Sequence, residues 1–114
     1  LAALGDPVLH RTLKALHHAP DDVWTQERLA SAVGVSKTVL CQRFKEVLQM
    51  SPMRYLREWK LYLASAELVQ ADAPIAAIAE RAGYGSEAAF CRAFTRHYRA
   101  PPATWRRNEL ARGA

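Results

Sequence analysis

Two clusters of polar side chains in this sequence carry hydrogen-bonding and ionic chemistry at helical spacing. The first holds Lys37, Thr38, Cys41, Gln42 and Lys45; the second holds Glu87, Ala88, Cys91, Arg92, Thr95 and Arg96. Each interleaves with an apolar pair at i and i+4, Leu40 and Phe44 or Phe90 and Phe94. A helix that buries the pair turns the cluster outward. An outward Arg92 can donate two hydrogen bonds to O6 and N7 of guanine. Gln42 can pair with N6 and N7 of adenine, and Glu87 can accept from N4 of cytosine. Thr38 and Ala88 suit a thymine methyl. Lys37, Lys45, Arg54, Thr95 and Arg96 are candidate phosphate ligands, which supply affinity and register rather than sequence information. Ser36 and Ser86 open the two helices and can also meet phosphate through the helix N-termini.

Blander roles compete with these. Arg92 suits a surface salt bridge, Gln42 plain solvation, and Glu87 a helix dipole that favours an acid in its first turn. Cys41 and Cys91 hold equivalent outward positions. They serve either as small residues that allow close approach or as a redox sensor. No nucleophile–base constellation accompanies them, so the chain is not expected to be an enzyme. The cysteines lack metal-ligand spacing. His17 and His18 end a helix and complement its dipole, so neither a metal nor a cofactor is expected. Trp24, Tyr55, Trp59 and Trp105 read as core or helix-entry residues rather than base-stacking platforms.

The 114 residues suffice for one domain or two very small ones. Half are apolar, and 16 Lys and Arg against 11 Asp and Glu leave a formal charge of +5. That surplus suits a polyanionic partner without requiring one. No stretch is apolar enough to cross a membrane. Leu1 to Pro7 lack a signal-peptide layout. Cytoplasmic localisation follows as the simplest reading, and a start at Leu1 suggests a piece of a longer chain.

The elements that carry the clusters read as helices throughout. Hairpin turns and two-residue alternation are missing. Asp6 caps, and Pro7 opens, a helix to about His18 with Leu9, Leu13 and Leu16 inward. Thr25 caps a second, stapled by Trp24 against Leu29 and stopped at Gly34. Ser36 caps a third, to about Leu48, with Val39, Leu40, Phe44 and Val47 as its buried stripe. Ser51 and Pro52 open a long fourth helix ending near Gln70. Tyr55, Trp59, Tyr62, Ala66 and Val69 line one side of it, and Leu56 and Leu63 another. Asp72 to Pro74 break the chain before a fifth helix stopped by Gly83. Ser86 caps a sixth, to about Tyr98. Pro101 and Pro102 start a short last helix through Trp105, and the tail after Arg107 is expected to fray. The fold class is therefore all-α, with seven helices and two helix-turn-helix subdomains joined by a long central helix. The expected boundaries are 1–50, a connecting helix at 51–71, 72–108, and a tail at 109–114.

The chain also repeats itself. LASAVGVSKTVLCQRF, from Leu29 to Phe44, returns as IAERAGYGSEAAFCRAF, from Ile78 to Phe94. Ala30 matches Ala79, Gly34 matches Gly83, and Ser36 matches Ser86 after one inserted residue, Gly85. Leu40, Cys41 and Phe44 match Phe90, Cys91 and Phe94. Pro52 and Tyr55 match Pro102 and Trp105. Each copy has a small residue where a second helix must approach, a Gly for a turn of positive φ, and a Ser cap on a polar-faced helix.

On these residues the chain resembles the DNA-binding domain of AraC/XylS-type transcription regulators, over roughly Asp6 to Arg107. The carrying segments are WTQERLASAVGVSKTVLCQRFKE, SPMRYLREWKLYLA, and IAAIAERAGYGSEAAFCRAFTRHY followed by Pro102. The resemblance implies sequence-specific double-stranded DNA binding by a bacterial regulator. It assigns base-edge contact to Thr38, Cys41, Gln42, Glu87, Ala88, Cys91 and Arg92. It further implies recognition helices in successive major grooves of an asymmetric site, an N-terminal effector or dimerisation domain, and RNA polymerase as a partner. A helical protein-interaction module without DNA contact, or the DNA-binding part of a repair enzyme, is the alternative. The chain departs from the family at Gln49 and Arg99, where Gly usually follows each recognition helix. Those ends are expected to be strained or reshaped. Pro101 replaces a usual Ser cap, and Gln42 replaces a usual Arg.

Overall fold

The fold is described over residues 5–113 of a computed structural model. Residues 1–4 of the expected first unit, including the Leu1 start, and Ala114 of the expected tail lie outside the described residues. Among these residues the chain forms seven helices and no strand. They are α1 (Pro7–His18), α2 (Gln26–Val33), α3 (Lys37–Leu48), α4 (Pro52–Gln70), α5 (Ile75–Arg81), α6 (Glu87–Tyr98) and α7 (Pro102–Gly113). Two compact units divide the chain, one ending at Glu58 and the other beginning at Trp59. The boundary falls inside α4. Each part of that helix is described with its own unit.

The first unit is built from caps and one apolar cluster. Asp6 Oδ1 accepts from the amides of Val8 and Leu9 at 3.0 and 3.2 Å. Thr25 Oγ1 accepts from the Arg28 amide at 3.0 Å and starts α2. Trp24 ahead of that cap joins the cluster that buries Leu29, as the staple requires. Its indole Nε1 donates to the Ala19 carbonyl at 2.8 Å, and the Arg28 guanidinium lies over its ring at 4.7 Å. Ser51 Oγ accepts from the Arg54 amide at 3.1 Å and starts α4. Leu9, Leu16, Leu29, Leu40, Phe44 and Leu56 fill the core.

In the second unit Leu61, Ala64, Leu68, Ile78, Ala79, Phe90 and Phe94 form the core. Pro74 opens α5 without a side-chain cap. Arg106 of α7 reaches back to the end of α4. Its Nε donates to the Leu68 carbonyl at 2.7 Å and its Nη2 to the Ala73 carbonyl at 2.7 Å. The Leu68 carbonyl lies in the last turn of α4, where carbonyls lack an intrahelical amide partner, and the Ala73 carbonyl lies in the linker to α5; the one guanidinium reaches both.

The duplication is visible in the backbone. The Val35 amide donates to the Ala30 carbonyl at 3.0 Å, and the Tyr84 amide to the Ala79 carbonyl at 3.1 Å. Gly34 and Gly83 turn the chain at φ 79° and 85°. Ala30 and Ala79 are buried beneath the turn, where a larger side chain would hold the next helix away. The Tyr55 ring meets Phe44 edge-on at 6.1 Å, and Trp105 meets Phe94 edge-on at 5.7 Å. Pro52 and Pro102 are both fully buried.

Three expectations are corrected. Val39 is 36% exposed, not part of the buried stripe of α3. It lies about 100° around the helix from Leu40, beyond the face that Leu40 and Phe44 share. On α4, Leu61, Ala64 and Leu68 are buried, while Tyr62 is 54% exposed and stacks on Trp59 at 5.3 Å. In the second unit the buried residues of α4 are therefore Leu61, Ala64 and Leu68 rather than the side that holds Tyr62. Finally, α7 continues past Trp105 and Arg107 to Gly113. Nothing from Arg106 to Arg112 breaks a helix, and Glu109 pairs with Arg112 one turn on.

Candidate nucleic-acid interface

The helix-turn-helix of each unit holds one helix by its buried pair and leaves the opposite face in water. On α3, Leu40 and Phe44 are fully buried, while Lys37, Thr38, Gln42 and Lys45 are exposed and Cys41 is half-buried. On α6, Phe90 and Phe94 are fully buried, while Glu87, Ala88, Arg92 and Arg96 are exposed and Cys91 and Thr95 are half-buried. Both outward clusters therefore stand on the surface of their own unit. Ser36 Oγ accepts from the Val39 amide at 3.2 Å and Ser86 Oγ from the Ala89 amide at 3.0 Å. Each hydroxyl keeps its hydrogen to donate.

The clusters differ in how their polar groups are engaged. In the first unit, Lys37 Nζ pairs with Glu27 Oε1 at 3.0 Å. The Glu27 carboxylate, by accepting that hydrogen bond, holds the Lys37 ammonium above its ordinary pKa. Cys41 Sγ donates to Gln26 Oε1 at 3.4 Å. Gln42 Nε2 donates to Glu46 Oε1 at 3.1 Å, and Arg54 pairs with Glu58 at 2.9 Å. In the second unit, Arg92 and Arg96 pair with no acid among the described residues. They line an open depression with Cys91, Thr95 and Pro101. Thr95 Oγ1 donates to the Cys91 carbonyl at 2.7 Å.

Both cysteines are free thiols. Burial, with Glu87 nearby, pushes the Cys91 thiol up from its ordinary pKa, which disfavours the reactive thiolate. No cluster of His, Cys, Asp or Glu among the described residues suits a metal ion. Among the described residues no helix is long and apolar enough to cross a membrane. Trp24, Tyr55 and Trp105 pack against the cores, as read from the sequence.

Sequence reasoning missed the partners: Gln26, Glu27 and Glu46 around the first cluster, and Arg43, which pairs with Asp6 at 2.8 Å. The Gln42–Glu46 pair was within reach, because i,i+4 residues neighbour each other on a helix.

A helix-turn-helix domain family model matches residues 29–108, from the middle of α2 into α7. The chain belongs to the AraC-type helix-turn-helix family. A Streptomyces antibioticus protein named as an AraC-like transcription regulator is 41% identical over 110 residues, which are 96% of this chain and 36% of that protein. The chain thus spans about a third of the length of the first curated relatives it matches. An AraC-type transcriptional regulator structure from Chromobacterium violaceum superposes with a TM-score of 0.84 at 26% identity, covering 88% of this chain and 89% of that one. The DNA-binding domain of AdpA, a global transcriptional factor solved with a target DNA, matches with a TM-score of 0.79 at 26% identity. That match covers 94% of this chain and 96% of the other. Gln49 and Arg99, where the sequence reading expected a Gly, both take the left-handed cap, at φ 59° and 65°.

Proposed function

We propose that this chain binds double-stranded DNA sequence-specifically, as the DNA-reading part of a bacterial transcription regulator. One observation carries the reading: two copies of one motif each bury a Leu or Phe pair and expose the polar face between its members. In this reading α3 and α6 enter successive major grooves of one asymmetric site. Thr38, Cys41, Gln42, Glu87, Ala88, Cys91 and Arg92 face base edges. Ser36, Lys37, Lys45, Arg54, Ser86, Thr95 and Arg96 face phosphates. The solved complex of a similar domain with its target DNA supports this. The whole protein joins the domain to an N-terminal effector or dimerisation region, works on the nucleoid in the cytoplasm, and acts on RNA polymerase. The length of the relatives supports the added region.

The two units are unequal readers. Arg92 and Arg96 meet DNA without first leaving an acid, whereas Lys37 and Arg54 have the acids Glu27 and Glu58 to exchange. The second unit therefore supplies most of the affinity. Selection of bound sequences from a random DNA pool tests the proposal. A two-part asymmetric motif, with its stronger half assigned to α6, is the expected result. No enrichment favours a protein-interaction module instead.

A further inference from the structure

We infer that Glu46 is a positioning residue that sets which way Gln42 presents its amide, and so which base the first unit accepts at one position. The inference rests on the proposed DNA-reading role of α3. Gln42 and Glu46 are both exposed, one helical turn apart on α3. Gln42 Nε2 donates to Glu46 Oε1 at 3.1 Å. An ionised carboxylate only accepts, so it admits the amide nitrogen and repels the amide oxygen. A glutamine alone can flip and exchange donor for acceptor at little cost. Beside Glu46 it has one order: nitrogen toward Glu46, oxygen away from it. Nε2 keeps a second hydrogen, so one donor and one acceptor remain for DNA.

Adenine offers N6–H as donor and N7 as acceptor, in a fixed order along the groove. An amide held in one sense matches that order and mismatches its reverse. A freely flipping amide satisfies both. Glu46 thereby converts a tolerant side chain into a selective one. Its charge is offset locally: the Arg43 guanidinium feels it, and Lys45 is its chain neighbour.

The test is base preference at each position of the selected site, measured for wild type, Glu46→Gln, Gln42→Ala and the double variant Gln42→Ala/Glu46→Gln. Binding to random DNA and the thermal midpoint are measured alongside. Glu46→Gln keeps the shape but lets either amide atom face position 46. Adenine preference at one position is expected to fall roughly tenfold, within the range a bidentate pair supplies. Random-DNA binding should hold or rise, because a negative charge near phosphates is removed. Gln42→Ala should erase preference at that same position, and the double variant should add nothing further. Full adenine preference in Glu46→Gln overturns the inference, as does a uniform loss at every position. If Gln42→Ala leaves the base profile unchanged, Gln42 is no base reader and the inference falls while DNA binding stands. If wild type enriches no sequence, the DNA-reading proposal itself fails.

Discussion

Asp6 joins α1 to α3: its Oδ2 accepts from Arg43 Nη1 at 2.8 Å while its Oδ1 caps α1. One carboxylate thus closes a helix end and ties it to the candidate reading helix of the same unit. The Arg43 hydrogen bond, with the Leu9 amide, holds the carboxyl below its ordinary value of 3.8. A folded-state pKa lowered in this way contributes stability above the unfolded value, and loses it as pH falls through 3.8 to the folded value. Asp6→Asn keeps an N-cap oxygen and removes the charge. Its stability should lie below wild type at pH 7 and converge on it under acid conditions below 3.8. Denaturant midpoints followed across pH give the answer, and a gap that stays constant refutes the linkage.

Arg106 should matter more to stability than any other surface-reaching arginine of the second unit. Its guanidinium satisfies carbonyls of Leu68 and Ala73 near the end of α4. Arg106→Ala should cost about 1.5–3 kcal/mol, the range for hydrogen bonds from a charged group. Arg106→Lys should recover only part, since an ammonium lacks the planar fork. Urea unfolding measures both. A loss under about 0.5 kcal/mol in Arg106→Ala, typical of an unremarkable surface site, would show the contacts to be incidental.

Gln49 holds φ at 59°, where a side chain with Cβ is strained by about 1–2 kcal/mol. Gln49→Gly relieves that strain but adds unfolded-chain entropy, so a net gain of about 0.5–1 kcal/mol is expected. The thermal midpoint should rise. An unchanged or lower midpoint argues that the cap, which also receives the Gln49 amide on the Phe44 and Lys45 carbonyls, is unstrained.

Arg92 and Arg96 lie one turn apart on α6 but should fail differently. Arg92→Ala should cost roughly 1–3 kcal/mol on the selected site and relax one base position. Arg96→Ala should weaken specific and random DNA alike and flatten the salt dependence by about one unit of slope. Titrations at several salt concentrations on both DNAs separate the two. Equal losses from Arg92→Ala on both DNAs would make it a phosphate ligand instead.

Much of this molecule was legible because its chemistry is local. Asp6, Thr25, Ser36, Ser51 and Ser86 each cap a helix through an amide two or three residues on. Gly34 and Gly83 turn where the duplicated sequence places them. The buried pairs of α3 and α6, and so their outward clusters, follow from helical period alone. The end of α7 was misread for the opposite reason. No residue after Trp105 stops a helix, and the Arg106 contacts that anchor it lie more than thirty residues back.

The amino-acid sequence by itself determined the seven helices, the duplicated turn and which side of each reading helix meets water. These depend on neighbours within one or two turns, where bond geometry leaves few choices. Tertiary structure decided the partners: Glu27 for Lys37, Gln26 for Cys41, Asp6 for Arg43, and the Leu68 and Ala73 carbonyls for Arg106. Those pairs form only after helices dock, because docking angle and depth, summed over whole buried faces, place distant side chains within hydrogen-bond reach.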